Sequence, residues 1–499
     1  MNPVLSKESV AGTEIHIWKD TQSDLFLARF MTIPEESKIG YLDLSLTSRK
    51  RQYPEEPFSE TVKKKALEIL KEIKKENANE LISKLAFSLG ENNILEQVPA
   101  FLLVVLPIWS IFVLHQEDYV SSQERSTRYV DFFRTYVESS CPKDLSSWST
   151  KMMSVKDEVQ AYFEKELGER YDEEKKELLA KPSAKDISRS FITANMISSA
   201  FFFTNLASLR RMRSRILMYD NEVSKFVADG IKNLFFNEFG ENINRHLEPN
   251  EVFKLTYKNV FSEIPSRLIP RFVNYNETKV KVEEGSYMKE GPLLSFISKF
   301  ENNENSLRRI GSLRKTRHDS LFEFEPFKHA YLTITFDPIS FGTARDLCRH
   351  RAANKSVKIK LGEALEVRDL GPVNEVFFVY DPRIDSNEEL KKKSFSVVRD
   401  YISFISESRY WYGIPLGLGV TLSMSADLAE WYYIIESRTG KDAMPEYKMA
   451  MMKAKEEIEK IYPIITKLIP INIQSNLEEL SRSIRGGEKT DSESNKRLA

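Results

Sequence analysis

Apolar and polar positions follow the same order twice along this chain. The run from Val98 to Leu114 (VPAFLLVVLPIWSIFVL) carries no charge and is bounded by polar sequence. It is short for a membrane span and Pro99 and Pro107 interrupt it, so the pattern predicts a buried strand turning into a buried helix start. A polar cluster from Ser121 to Tyr129 follows, then charged helical sequence over 150–182. A mixed segment comes next (Asp186 to Arg215), with helical sequence onward to about 247. From Phe327 the order returns: an apolar stretch (HAYLTITFDPISF), a polar cluster holding Arg349-His350-Arg351, a charged helix near 387–408 and a second mixed segment (YWYGIPLGLGVTLSMSADLAEW). An amphipathic helix from about Pro445 to Leu468 closes the pattern.

The flanking sequence is less regular. Residues 1–58 read as short strands and loops. Ser59 to Leu85 has helical periodicity, with Val62, Ala66, Ile69, Leu70 and Ile73 on one face. Prolines, Asn/Glu clusters and basic runs over 265–315 mark a junction and the irregular opening of a second domain. The tail from Gly486 reads as disordered. Asn205-Leu206-Ala207 and Asp427-Leu428-Ala429 stand in the same context in the two halves. Together these patterns predict a tandem duplication, with domains at 1–260 and 261–485 and a tail at 486–499.

Length and composition narrow the classes. A chain of 499 residues exceeds one ordinary domain, and 41% hydrophobic with 11% aromatic residues supplies sizeable cores. Lys plus Arg is 73 against 74 for Asp plus Glu, so no electrostatic case exists for a nucleic-acid or membrane partner. Two cysteines, Cys141 and Cys348, point to a reducing compartment. With Glu8, Glu14 and Asp20 near the start there is no apolar signal-peptide core, and the expectation is cytoplasmic.

Metal ligation is not expected, because the histidines and cysteines show no CxxC, HxxH or HExxH spacing. Gly417-Leu418-Gly419 lacks the third glycine of a dinucleotide fingerprint, since Leu422 stands there. No nucleophile elbow or P-loop is present. Clusters of Arg, Ser and Glu remain. Guanidinium forks match phosphate and carboxylate oxygens and stay charged, and Ser126 with Arg128 offers a hydroxyl and a fork together. Taken singly, each has a plainer reading. The triplet reads as a charged helix end, Ser126 and Arg128 as a cap with a surface arginine, and His329 as a core histidine. Arg189 and Arg438 read as local ion pairs with Asp186 and Glu436.

Read jointly, the chain resembles a tandem, diverged pair of flavin-dependent thymidylate synthase domains, whose signature is RHRxxSxNExSxRY. Arg349-His350-Arg351 matches the start of that motif, but Ile359 stands where its later Ser belongs. In the first half Glu124-Arg125-Ser126-Thr127-Arg128-Tyr129 matches the end, while Gln116-Glu117-Asp118 holds the triplet position. Arg189 and Arg438 fit two further family arginines, with Trp411 and Ile216 at their counterparts. Asn205 fits the helix-start asparagine, with Asp427 opposite, and Ala207 and Ala429 replace a family arginine. Each half keeps what the other has lost.

The resemblance implies an α+β fold, each domain a mostly antiparallel sheet with long helices. It implies an enzyme that uses FAD, NADPH and methylenetetrahydrofolate to methylate dUMP to dTMP without a cysteine nucleophile. One composite site between the halves would place Glu124, Ser126, Arg128, Arg189 and Arg349 on dUMP. Arg349, His350, Arg351 and Asn205 would serve FAD, with Arg438 as the catalytic group. The counterpart site, with Asp118, Ile359, Trp411 and Ile216, would be dead. A homodimer of the tandem chain, a pseudo-tetramer, is also implied. The alternative is a non-catalytic flavin- or nucleotide-binding relative acting as a structural or regulatory partner. Ala207, Ala429 and Trp411 favour that alternative, whereas the complementary split favours the enzyme.

Overall fold

The computed structural model describes residues 1–10, 13–31, 93–125, 143–169, 180–239, 243–257, 260, 264–283, 325–350, 352–367, 371–440, 443–471 and 473. The helix expected at Ser59 to Leu85 and the tail from Gly486 lie outside them. Contacts divide the chain into two compact units. Unit 1 comprises Met1–Arg125, Thr135–Pro142 and Asn195–Asn259; unit 2 comprises Ser126–Arg134, Lys143–Ala194 and Val260–Ala499. The division is therefore not one cut near residue 260. Lys143–Ala194 belongs with unit 2 because helix α2 (Lys143–Gly168) packs there, with Trp148 stacked on Phe404 at 5.6 Å.

Unit 1 is built on an antiparallel sheet of order β1-β2-β3-β4-β6-β5: β1 Pro3–Val10, β2 Thr13–Asp20, β3 Phe26–Met31, β4 Pro99–Pro107, β5 Ser121–Glu124 and β6 Ile197–Asn205. The uncharged run resolves as its pattern predicts, into β4 and the wholly buried helix α1 (Ile108–His115). Strand alternation turns Leu102, Val104 and Leu106 of β4 and Phe202 of β6 into the core. Helix α4 (Leu206–Leu217) follows β6, and α5 (Glu222–Phe235) lies close enough to β2 that a Cβ on Gly230 would stand 2.6 Å from the Trp18 ring. Among the described residues no helix is long and apolar enough to cross a membrane.

Unit 2 repeats the central pattern. Its four-stranded sheet has the order β10-β13-β9-β8, from β8 (Lys279–Val282), β9 (Tyr331–Ser340), β10 (Asn354–Ile359) and β13 (Gly419–Asp427). That order corresponds to β5-β6-β4-β3 of unit 1. β9 runs into helix α6 (Phe341–Leu347) as β4 runs into α1, and β13 into α8 (Leu428–Arg438) as β6 into α4. The opposite sheet faces differ in chemistry. Unit 1 carries Phe101 against Phe201 and Phe203, whereas unit 2 carries Thr333–Ser425 and Thr335–Ser423 hydroxyl pairs at 2.7 and 2.8 Å.

A second sheet in unit 2 has the order β11-β12-β7, from β7 (Leu268–Asn274), β11 (Leu361–Val367) and β12 (Gly371–Tyr380). The stretch from 265, expected to be irregular, thus yields β7 and β8. β7 pairs in parallel with β12, a partner distant in sequence, and Phe272 stacks on Phe395 of helix α7 (Glu388–Ser408) at 3.9 Å. Helix α3 (Lys181–Ser188) leads into a 3-10 turn at Arg189–Phe191. Just beyond it, Ala194 N–H donates to Ile414 O (2.8 Å) and Leu416 N–H to Ile192 O (2.7 Å), flanking a bridge between Thr193 and Pro415. The final amphipathic stretch splits into α9 (Pro445–Ile461) and α10 (Pro463–Leu468), because Pro463 cannot continue the first helix. His329 is exposed, not a core histidine.

The equivalent helices α4 and α8 share one capping device. Asn205 accepts from Ser208 N–H at 2.9 Å and Asp427 from Glu430 N–H at 2.8 Å. Asn205→Ala and Asp427→Ala should each lower stability by about 1 kcal/mol, read from denaturant unfolding. An unchanged midpoint in either variant would contradict the capping role.

Candidate functional site

The charged groups of unit 2 converge at the end of α6. Ser340 caps this helix, its Oγ accepting from Thr343 N–H at 3.1 Å. Its own N–H and Oγ–H donate to the Glu446 carboxylate at 2.8 and 2.6 Å, and Thr343 Oγ1–H adds a third donor at 2.5 Å. Glu446 lies in the first turn of α9, so one buried carboxylate ties two helix starts together. Burial raises its pKa despite those donors.

One turn later Asp346 gathers cations. Its carboxylate meets Arg189 Nη2 at 2.6 Å, Arg345 Nη2 at 3.2 Å and Arg349 Nη2 at 3.3 Å, and Tyr447 O–H donates to it. Burial alone would raise the Asp346 pKa, but Arg189, Arg345 and Arg349 outweigh it and hold the group well below the usual carboxylate range. Arg189 is itself buried and also donates to Gly342 O at 2.8 Å and contacts Met444 Sδ. Burial opposes its charge, yet Asp346 raises its pKa overall. The Tyr447 phenol is pushed up to about 12 by burial, with Asp346 adding to the shift.

His350 follows within the same cluster. Arg438 Nε–H donates to His350 Nε2 at 3.0 Å, which assigns the ring proton to Nδ1, 3.6 Å from Glu430 Oε1. Burial, then Arg438, Arg349 and Lys355, hold the His350 pKa well below its ordinary value. The ring is therefore neutral at physiological pH. Arg438 lies over Tyr447 at 5.7 Å, and burial lowers its pKa. Cys348 between these groups is buried, and burial pushes its thiol up to about 12, so it supplies no thiolate.

Four residues singled out from sequence, Arg189, Arg349, His350 and Arg438, thus share unit 2 and one network. Glu124 and Asn205 stand in unit 1. There the Glu124 carboxylate meets buried His115 at 3.2 Å, and His115 Nδ1 meets Ser122 Oγ at 2.9 Å. Asn205 is engaged as a helix cap. Ser126, Arg128 and Arg351 lie outside the described residues. The sequence reading missed Asp346, Tyr447, Glu430 and Glu446. Asp346 had a visible signal, standing three residues before Arg349 on a helix; Tyr447 had none. Among the described residues no group of three or more His, Cys, Asp or Glu side chains is placed to hold a metal ion.

Residues 274–464, from the end of β7 into α10, match the Thy1 family model, described as thymidylate synthase complementing protein. A comparison with curated proteins gives no match. Two crystal structures of thymidylate synthase X from Helicobacter pylori, each with FAD and dUMP, are 14% identical to this chain. They cover 39% and 38% of it and 99% and 97% of their own length, with TM-scores of 0.27 and 0.26.

Two outcomes follow from the network. Asp346→Asn leaves Arg189 buried without its counter-charge and should cost about 3–5 kcal/mol in unfolding free energy. For His350 the folded pKa is depressed, so its contribution is present above the unfolded value near 6.5 and is lost as pH falls. Below about pH 6.5 the parent should lose roughly 1.4 kcal/mol per pH unit from this group. His350→Gln should lack that component, and equal pH slopes for the two chains would refute a neutral His350.

Proposed function

We propose that the chain is a flavin-dependent thymidylate synthase-like enzyme that binds FAD and dUMP and methylates dUMP to dTMP. The observation that carries this reading is the Arg189–Asp346–Arg349 cluster joined to the Arg438–His350 pair, of which all but Arg189 lie inside the segment that matches the family model. Arg189 comes from the first half of the sequence and Arg349 from the second, and they share one carboxylate. That supports a site composed from both halves.

The donor set fits a phosphate-bearing flavin or nucleotide. Arg349 keeps 26% of its side chain exposed at the rim, while Asp346 fixes its direction. Arg349 and His350, with Arg351, would hold FAD, and Arg349 would also contact dUMP. When bound, FAD supplies the hydride chemistry. Arg438, oriented by His350 and Tyr447, would stabilise charge developing on the pyrimidine. Arg189 acts by holding Asp346 and hence Arg349. Ser126 and Arg128 complete the phosphate contacts in this reading, with NADPH and methylenetetrahydrofolate as co-substrates. The tandem duplication belongs to the same proposal. Counting back from Asn205 and Asp427 makes Thr193 the counterpart of Pro415, so the bridge between them joins equivalent residues and its two hydrogen bonds exchange under a local two-fold. A homodimer of the chain would then make a pseudo-tetramer.

A second reading, a flavin- or nucleotide-binding relative without catalysis, is favoured by Ala207 and Ala429, both buried where the family carries arginine. Purified protein should be yellow, with about one FAD per chain, and should release tritium from 5-labelled dUMP. Arg438→Ala should lower that release on the order of 100-fold while flavin remains bound. Flavin binding without tritium release selects the second reading, and a colourless chain that FAD cannot reconstitute rules out the first and leaves of the second only a nucleotide-binding relative.

A further inference from the structure

Unit 1 contains the counterpart of the Arg-His-Arg position, and its chemistry is inverted. Glu117 stands nine residues after Ile108, the first residue of α1, as His350 stands nine after Phe341, the first of α6. On the following strand-helix junction, Arg211 is the sixth residue of α4 and Tyr433 the sixth of α8. His350 packs against Tyr433, with ring centroids 6.1 Å apart, and takes a hydrogen bond from Arg438. Glu117 instead takes Arg211 Nε at 2.6 Å and Arg215 Nη1 at 3.4 Å. Its side chain is 1% exposed. Arg211 is steadied by a bond to Ser208 Oγ at 3.0 Å and lies over Tyr119 at 5.8 Å.

We propose that unit 1 carries an oxyanion site, formed by Arg211 and Arg215, that the chain fills with its own Glu117 carboxylate. The guanidiniums stand where unit 2 offers Tyr433 and the residue before Arg438, so an anion is called for at the place of His350. The internal carboxylate supplies it, with one oxygen hydrogen-bonded to Arg211 and the other ion-paired with Arg215. The external ligand class that fits is a small planar monoanion, formate or acetate, taking the place of the Glu117 carboxylate. Glu117 already stands between these two arginines, so a larger anion such as a nucleotide phosphate would have to displace it. The proposal uses the tandem reading only to select Glu117; the contacts stand without it.

The test is thermal unfolding of the full chain in sodium formate and in sodium chloride of equal ionic strength, for the parent, Glu117→Ala and Glu117→Ser. The parent should show the same Tm in both salts. Each variant should be destabilised in chloride and should regain on the order of 5 °C in formate, with saturation. Adding Arg211→Ala to either variant should abolish the gain. The proposal fails if neither variant gains from formate beyond chloride, insolubility in both salts included, or if the gain survives loss of Arg211. Flavin content and tritium release do not enter this readout, so a colourless chain would remove the proposed function and leave the formate result standing.

Discussion

The ionised carboxylate of Asp346 is the constraint around which unit 2 is arranged. A lone buried carboxylate would be strongly disfavoured, and this one is kept charged by Arg189, Arg345 and Arg349 with Tyr447 as a further donor. Those partners fix distant pieces of chain. Arg189 is 157 residues before Asp346, and Tyr447 is 101 after it. The approach also dictates Gly342. A Cβ there would lie 3.2 Å from Leu416 Cβ and 3.3 Å from both Nε and Nη2 of Arg189, so a side chain would require these neighbours to give by a few tenths of an ångström. Glu446 then locks the start of the same helix, and the cluster becomes a rigid seat for Arg349.

That seat offers fixed charge without proton traffic near neutrality. His350 is held neutral with both ring nitrogens committed, one to Arg438 and one facing Glu430. The phenol and the thiol beside it are both pushed to about 12 by burial. In the proposed reading such a site would bind and orient anionic groups and respond electrostatically to charge that develops on them. Proton and hydride transfer would then fall to the bound molecules. Such a division of labour suits cofactor-borne chemistry better than acid-base catalysis by side chains.

Much of this was legible in the sequence, for reasons that differ by element. The uncharged Val98 to Leu114 run had one solution once its prolines and length were weighed, and β4 with α1 is that solution. The charged stretch near 387–408 reads as a helix and is α7, and Arg349, His350 and Arg438 stand out in the sequence as candidate site residues. Other features depended on partners that local pattern does not encode. β7 is a strand because β12 pairs with it in parallel. Lys143–Ala194 reads as a continuation of the first half, and its packing against α7 together with the Arg189 contacts to Gly342 and Asp346 places it in unit 2. Arg189 beside Asp186 looked like a local ion pair, whereas its strong partner is Asp346.

The assignment of Lys143–Ala194 has a consequence for how the chain comes off the ribosome. This segment is synthesised between two parts of unit 1, yet Arg189 finds Gly342 and Met444 only 153 and 255 residues later. Unit 1 can close once residue 259 has emerged, while the apolar stripe of α2 waits for α7. Loops of that length make the second unit slow to assemble by topology alone. During the interval α2 packs on the neighbouring α3, while the face that α7 will cover stays open, the kind of surface that holding chaperones recognise.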